Sequence, residues 1–212
     1  MSIIVDRYRK IKSNINNDNV NIIAISKTFS FEFIKPLVKH GHIHFGENKV
    51  KEAEIKWLNK KENYPNVKLH LVGTLQTNKA KNAVKLFDYI HSLDSEKLAL
   101  KLNNAEISLK KKLNYFIQVN VGEETQKSGI TPDLLNNFYN YCKKNTNLNI
   151  IGLMAIPPKD EECEKHFKYL QEISSSLNLK NLSMGMSADY NEAIKHNSNF
   201  VRLGSAIFGD RN

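Results

Sequence analysis

The chain has 212 residues, 41% of them hydrophobic and 25% charged, which suits a single globular domain. Its formal charge of +9 comes from 31 basic and 22 acidic residues, but only Arg7, Arg9, Arg202 and Arg211 are arginine, and the lysines are spread from end to end. Nucleic-acid binding is therefore not expected as the main role, and no apolar run reaches the ~18 residues that cross a bilayer.

The elements alternate in chain order. A helix over 1–17 precedes a first strand at 21–26 (NIIAIS). Further strands are expected at 43–46 (IHFG), 68–73 (KLHLVG), 89–93 (YIHSL), 115–121 (YFIQVNV), 150–156 (IIGLMAI), 182–186 (LSMGM) and 200–204 (FVRLG). These short β-branched runs are bounded by turn residues. The segments between them read as helices. Residues 49–59 set Ala53, Ile55, Trp57 and Leu58 among charges, and 96–104 carries leucines at 98, 100 and 102. Pro132 opens a helix over 133–144, where its missing N–H costs little, and helices at 163–177 and 191–196 complete the set. Strands alternating with helices imply a parallel sheet, and eight of them favour a closed (β/α)8 TIM barrel over an open sheet. The expectation is one domain over 1–212, with an extra N-terminal helix.

Cys142 and Cys163 form neither a disulfide framework nor a zinc-spaced cluster. No metal site is expected. Residues 1–15 lack the apolar core and cleavage site of a secretory leader, so the cytoplasm is the expected location.

In such a barrel the functional site lies at the C-terminal ends of the strands. Ser187 follows the seventh strand, and Gly204-Ser205 closes the eighth. Small residues there let backbone N–H groups approach an anion, with a hydroxyl as further donor. The same residues also serve as plain turns and caps. Lys27 directly follows the first apolar strand, where partial desolvation and nearby cations would lower its pKa toward the neutral amine that forms a Schiff base. A phosphate-binding or simply solvated lysine are the other readings. Arg202 sits in an apolar strand and requires an acceptor: Glu47 in a barrel ion pair, or a ligand ring nitrogen. His42, His44 and His70 read as structural; His42 and His44 would share one strand face. Met154, Met184 and Met186 read as core filler.

Several long stretches carry a family resemblance in the same order: AISKT (24–28), HFGEN (44–48), LHLVGTLQTNK (69–79), SLD (92–94), QVNVGEETQKSGI (118–130), GLMAIPP (152–158), LSMGMSADYNEAI (182–194) and VRLGSAIFGDR (201–211). The sequence resembles the pyridoxal phosphate homeostasis proteins, single-domain relatives of the alanine racemase N-terminal barrel. The resemblance implies a pyridoxal 5'-phosphate (PLP) fold of type III. It implies that Lys27 carries PLP as an internal aldimine and that Ser187, Gly204 and Ser205 hold the phosphate. Arg202 would face the pyridine nitrogen, Asn48 would contact the cofactor, and Met184 with its SMGMS segment would line the ring face. Leu69, Thr74 and Ser205 replace an aromatic, a proline and a threonine common in the family.

The function implied is that of a PLP carrier or buffer in vitamin B6 and amino-acid homeostasis rather than an efficient enzyme. PLP-dependent apoenzymes would be recipients, and the chain itself a monomer or weak dimer. An arginine at the pyridine nitrogen weakens the ring as an electron sink. The chain also stops at Asp210-Arg211-Asn212, before any β-domain that would add the second acid–base tyrosine of a racemase. The alternatives are a PLP-dependent racemase and a basic RNA-binding or scaffold protein. The roles of Lys79 and Lys81, in cofactor exchange or merely at the surface, stay open.

Overall fold

The computed structural model describes residues 2–210; Met1 of the expected first helix, Arg211 of the last motif, and Asn212 lie outside the described residues. Eight parallel strands close into a barrel in sequence order: β1 (Asn21–Ile25), β2 (His44–Glu47), β3 (Lys68–Leu71), β4 (Tyr89–Leu93), β5 (Asn114–Val119), β6 (Asn149–Ala155), β7 (Asn181–Met186) and β8 (Phe200–Leu203). The seam is the β1–β8 pair, with Ile23 opposite Arg202. The helices are α1 (Ile3–Ile15), α2 (Phe31–Lys39), α3 (Val50–Trp57), α4 (Ala80–Leu86), α5 (Glu96–Leu109), α6 (Pro132–Asn145), α7 (Cys163–Ser176), α8 (Tyr190–Lys195) and α9 (Ser205–Phe208).

Local chemistry accounts for the helix starts. Ser30 and Ser95 accept hydrogen bonds from Phe33 N–H and Leu98 N–H, capping α2 and α5, and Pro132 occupies the first turn of α6. α5 runs five residues beyond the expected 104, since Ala105 and Glu106 continue its buried face. α9 was not foreseen: four residues are too few to show a helical period.

Strand alternation sorts the side chains into two cores. Ile23, Ile25, Phe116, Met154 and Phe200 fill the barrel itself. Residues of opposite parity, such as Ala24, Phe45, Leu69, Val201 and Leu203, face outward and pack with Leu37, Trp57 and the other apolar residues of the helices. Burying this outer layer, at about 25 cal/mol per Å² of apolar surface, is the main term holding helices to barrel. Both cysteines are free thiols, and no described helix is long and apolar enough to cross a membrane.

Candidate functional site at the barrel mouth

Lys27 lies half-buried in the turn that follows β1. The next residue, Thr28, has φ of 70°, a left-handed conformation that is costly for a β-branched side chain. Two sets of contacts hold the turn there. The Thr28 N–H donates to the Glu52 carboxylate. Ser26 is fixed from behind: its Oγ donates to Glu47 Oε1 at 2.7 Å, and its carbonyl accepts from Lys56 Nζ at 2.6 Å. Lys56 Nζ also reaches Glu47 Oε1 and Oε2 at 2.8 and 3.0 Å, and Trp57 Nε1–H donates to Glu47 Oε1 at 2.9 Å. Glu47 is wholly buried and every one of these bonds is charge-assisted.

This cluster corrects one expectation. Glu47 does not pair with Arg202. Gly46 faces the barrel interior against Ile23 and Ile25, so its neighbour Glu47 points out toward α3 and finds Lys56.

Arg202 points inward and is buried. Its Nη1 donates to Ser183 O at 2.6 Å and Ser183 Oγ at 2.8 Å, and its Nη2 donates to Ala155 O at 2.9 Å. The guanidinium is thus clamped by β6 and β7, with no bonded carboxylate among the described residues; Asp189 acts on it through space. Burial pushes its pKa down to about 10, so it stays charged at neutral pH.

Beside it, the Ser187 hydroxyl draws two backbone donors to one point. Gly204 N–H and Ala206 N–H lie 3.2 and 3.3 Å from Ser187 Oγ. Ser205 is exposed at the first position of α9. Asn48 is half-buried after β2, its backbone pressed by the loop after β3: a Cβ on Gly73 would lie 2.3 Å from Asn48 O. Glycine is needed there because the two loops touch backbone to backbone. At the end of β4, burial raises the Asp94 carboxyl above its ordinary pKa.

Ser187, Gly204 and Ser205 thus meet where the loop after β7 adjoins the start of α9, with Arg202 and Lys27 at the ends of β8 and β1. Met184 is different. It is fully buried in the outer core, because the alternation that turns Ser183 into the barrel turns Met184 toward the helices. Its side chain does not line the mouth, contrary to expectation. Met154 is inner core, whereas Met186 is 39% exposed and is not filler.

The histidines also depart from the sequence reading. β2 begins only at His44, so His42 is not on its face. The His42 ring lies outside the barrel near Tyr8, with centroids 4.7 Å apart, and its Nε2–H donates to His44 O at 2.8 Å. His44 turns inward and joins His70 and His91. His44 Nδ1 is 2.9 Å from His70 Nε2, His70 Nδ1 is 2.9 Å from His91 Nε2, and His91 Nδ1 is 2.9 Å from Ser183 Oγ. Sequence reasoning passed over His91 and Lys56, and took in Ser183 only as part of the SMGMS segment. Only the YIHSL alternation, which puts His91 on the same strand face as Tyr89, hinted at one of them.

Lys79 and Lys81 are exposed at the start of α4, Lys81 in a shallow groove against α5. Among the described residues, Glu164, Glu192 and His196 form the one acidic group with metal-ligand spacing; it lies at the surface, where Lys195 already pairs with Glu192. A cleft of about 680 Å³ opens at the opposite end of the barrel, lined among others by Tyr8, Arg9, Lys12, His40 and His44. It is remote from Lys27, Ser187 and Arg202, which lie at the strand ends where this fold does its chemistry.

Comparison with known proteins matches this chain along nearly its whole length. The family profile described as "Alanine racemase, N-terminal domain" matches residues 2–212. A pyridoxal phosphate homeostasis protein of Vibrio alginolyticus is 36% identical over 97% of this chain and 92% of its own length. One of Schizosaccharomyces pombe is 36% identical over 95% and 89%. PipY of Synechococcus elongatus, solved with PLP bound, superposes with a TM-score of 0.89 at 30% identity, covering 97% of this chain and all of that one. An alanine racemase of Clostridium difficile shares the fold alone, with a TM-score of 0.76 at 17% identity and 56% of its length covered. The barrel, with its family profile spanning nearly every residue and relatives matched almost end to end, belongs to the alanine racemase N-terminal domain family and, within it, to the pyridoxal phosphate homeostasis proteins.

Proposed function

We propose that this chain binds PLP at the C-terminal mouth, held covalently by Lys27, and serves PLP homeostasis as a carrier or buffer. The observation that carries the reading is the convergence of three different chemistries on one rim. Ser187 Oγ with the Gly204 and Ala206 N–H groups forms an anion cradle, Arg202 presents a clamped guanidinium, and Lys27 supplies a primary amine. PLP has a phosphate, a ring nitrogen and an aldehyde to match them. The fit is supported by the long N–H bonds to Ser187, 3.2 and 3.3 Å, which a phosphate oxygen can take over or share. Asn48 and Ser205 are the further contacts. Met184 contributes packing behind β7 rather than a ring contact.

When bound, PLP supplies a reactive aldehyde conjugated to an electron-withdrawing ring. The protein's contribution is largely to restrain it. Arg202 holds its protons well above neutral pH and can donate to a ring nitrogen without protonating it. Ser183 and Ala155 fix the guanidinium plane, and the Ser26–Glu47–Lys56 cluster fixes the turn from which Lys27 extends. A site so built retains the cofactor better than it drives carbanion chemistry.

The test is spectroscopic. The purified protein loaded with PLP should absorb in the visible, and borohydride should trap a pyridoxyl adduct on the Lys27 peptide that is lost in Lys27→Ala. A protein that takes up no PLP, or an adduct elsewhere, would overturn the reading.

A further inference from the structure

The barrel interior holds a continuous hydrogen-bonded file running from its N-terminal end to Arg202: His44, His70, His91, Ser183, Arg202, with successive contacts of 2.9, 2.9, 2.9 and 2.8 Å. Its members come from β2, β3, β4, β7 and β8. The rings are stiffened by stacking: His70 on Tyr89 with centroids 4.2 Å apart, and His91 on Phe116 at 4.4 Å.

The donors in this file follow from bookkeeping. An arginine only donates, so Ser183 Oγ must accept from Arg202. The hydrogen bonds of Ser183 Oγ among the described residues are to Arg202 and His91 alone, so its own proton is satisfied only by donation to His91 Nδ1. Neutral His91 then carries its proton on Nε2 and donates to His70 Nδ1. His70 in turn donates from Nε2 to His44 Nδ1, which leaves His44 Nε2–H directed out of the file. The opposite order leaves a buried hydroxyl proton without an acceptor, which is costly. Burial pushes His44 down to about 4 and holds His70 and His91 well below their ordinary pKa, so all three are neutral at pH 7.

We propose that His44, His70, His91 and Ser183 form a polarised relay that positions Arg202 and ties its hydrogen bonding to the state of the far end of the barrel. The proposal rests on the PLP reading only for what Arg202 faces. Each bond in a one-way file strengthens the next, so Ser183 is a better acceptor for Arg202 than a lone serine. The remote end is His44, which lines the 680 Å³ cleft at the N-terminal opening. Lys68, Asp88, Tyr89 and His42 face or bear on its ring, and Arg9, Lys12, Asp18 and His40 line the cleft around it. A neutral His44 completes the file. A protonated one would turn Nδ1 into a donor facing the His70 Nε2–H and break the order.

The experiment is ¹⁵N–¹H correlation of the imidazoles in apo protein at pH 7, which needs no cofactor. The expected result is the Nε2–H tautomer for His44, His70 and His91. Ser183→Ala, a small change in a strand, should shift His91 toward a mixture of tautomers while far-UV circular dichroism stays unchanged. With PLP added, Ser183→Ala should bind roughly tenfold more weakly, the size of one lost bond to a charged group. Nδ1–H or mixed tautomers in the wild type, or a His91 signal indifferent to Ser183→Ala, would overturn the relay. Failure of the wild type to bind PLP would refute the cofactor reading alone, because the tautomer measurement stands without it.

Discussion

Replacing Lys56 by methionine tests how the turn carrying Lys27 is held. Methionine keeps much of the side-chain volume but removes the ammonium bonds to Glu47 at 2.8 and 3.0 Å and to the Ser26 carbonyl at 2.6 Å. Glu47 stays fully buried, with Ser26 Oγ and Trp57 Nε1–H as its remaining donors among the described residues. Stripping one partner from a buried ion pair costs about 3–5 kcal/mol. At a urea slope of about 2 kcal/mol/M, the midpoint followed by far-UV circular dichroism should fall by roughly 1.5–2.5 M. Glu47→Gln should lose less, since Lys56 keeps Glu52 as a second carboxylate 3.6 Å away. A fall under about 0.5 M for Lys56→Met, the size of a surface pair, or a greater loss for Glu47→Gln, would refute the argument.

Other substitutions probe the rim and the core. Thr28→Gly should stabilise the fold by about 0.5–1 kcal/mol, since glycine takes the 70° φ without the Cβ penalty, and urea titration would register the gain. Ser187→Ala should weaken PLP binding by roughly tenfold without altering the circular dichroism, measured by titrating the visible band. Stability should also fall as the pH is lowered through about 6.5: burial depresses His42 from 6.5 to about 3 and His44 to about 4, so between about 6.5 and those lower values the unfolded chain binds more protons than the folded one. Urea midpoints at pH 7 and pH 5 check this, and equal midpoints would contradict it.

The barrel was legible because its signals are local. Each strand is a short β-branched run, each break is a turn, and the observed strands lie within two residues of the expected ones at either end. The rim residues Lys27, Ser187, Arg202, Gly204 and Ser205 were legible for the same reason: they follow or end those runs. What the sequence concealed depends on pairing across the barrel. His44, His70 and His91 are separated by more than twenty residues at each step and become neighbours only when β2, β3 and β4 align. Lys56 is one of 27 lysines, 31 basic residues less four arginines, and nothing local marks it as buried. Strand parity decided two of the side-chain errors: it sent Glu47 outward to Lys56 rather than inward to Arg202, and Met184 outward into the helix layer.

Trp57 is the one tryptophan of the chain, fully buried, with its indole N–H on Glu47. The protein therefore carries a single indole fluorophore, wired to the cluster that anchors the Lys27 turn. Its emission should be that of a dry, hydrogen-bonded indole. Any event that loosens the turn or alters the charge on the neighbouring carboxylate will register in that one signal, free of background from other indoles, so the untagged wild-type chain can report on its own rim in real time.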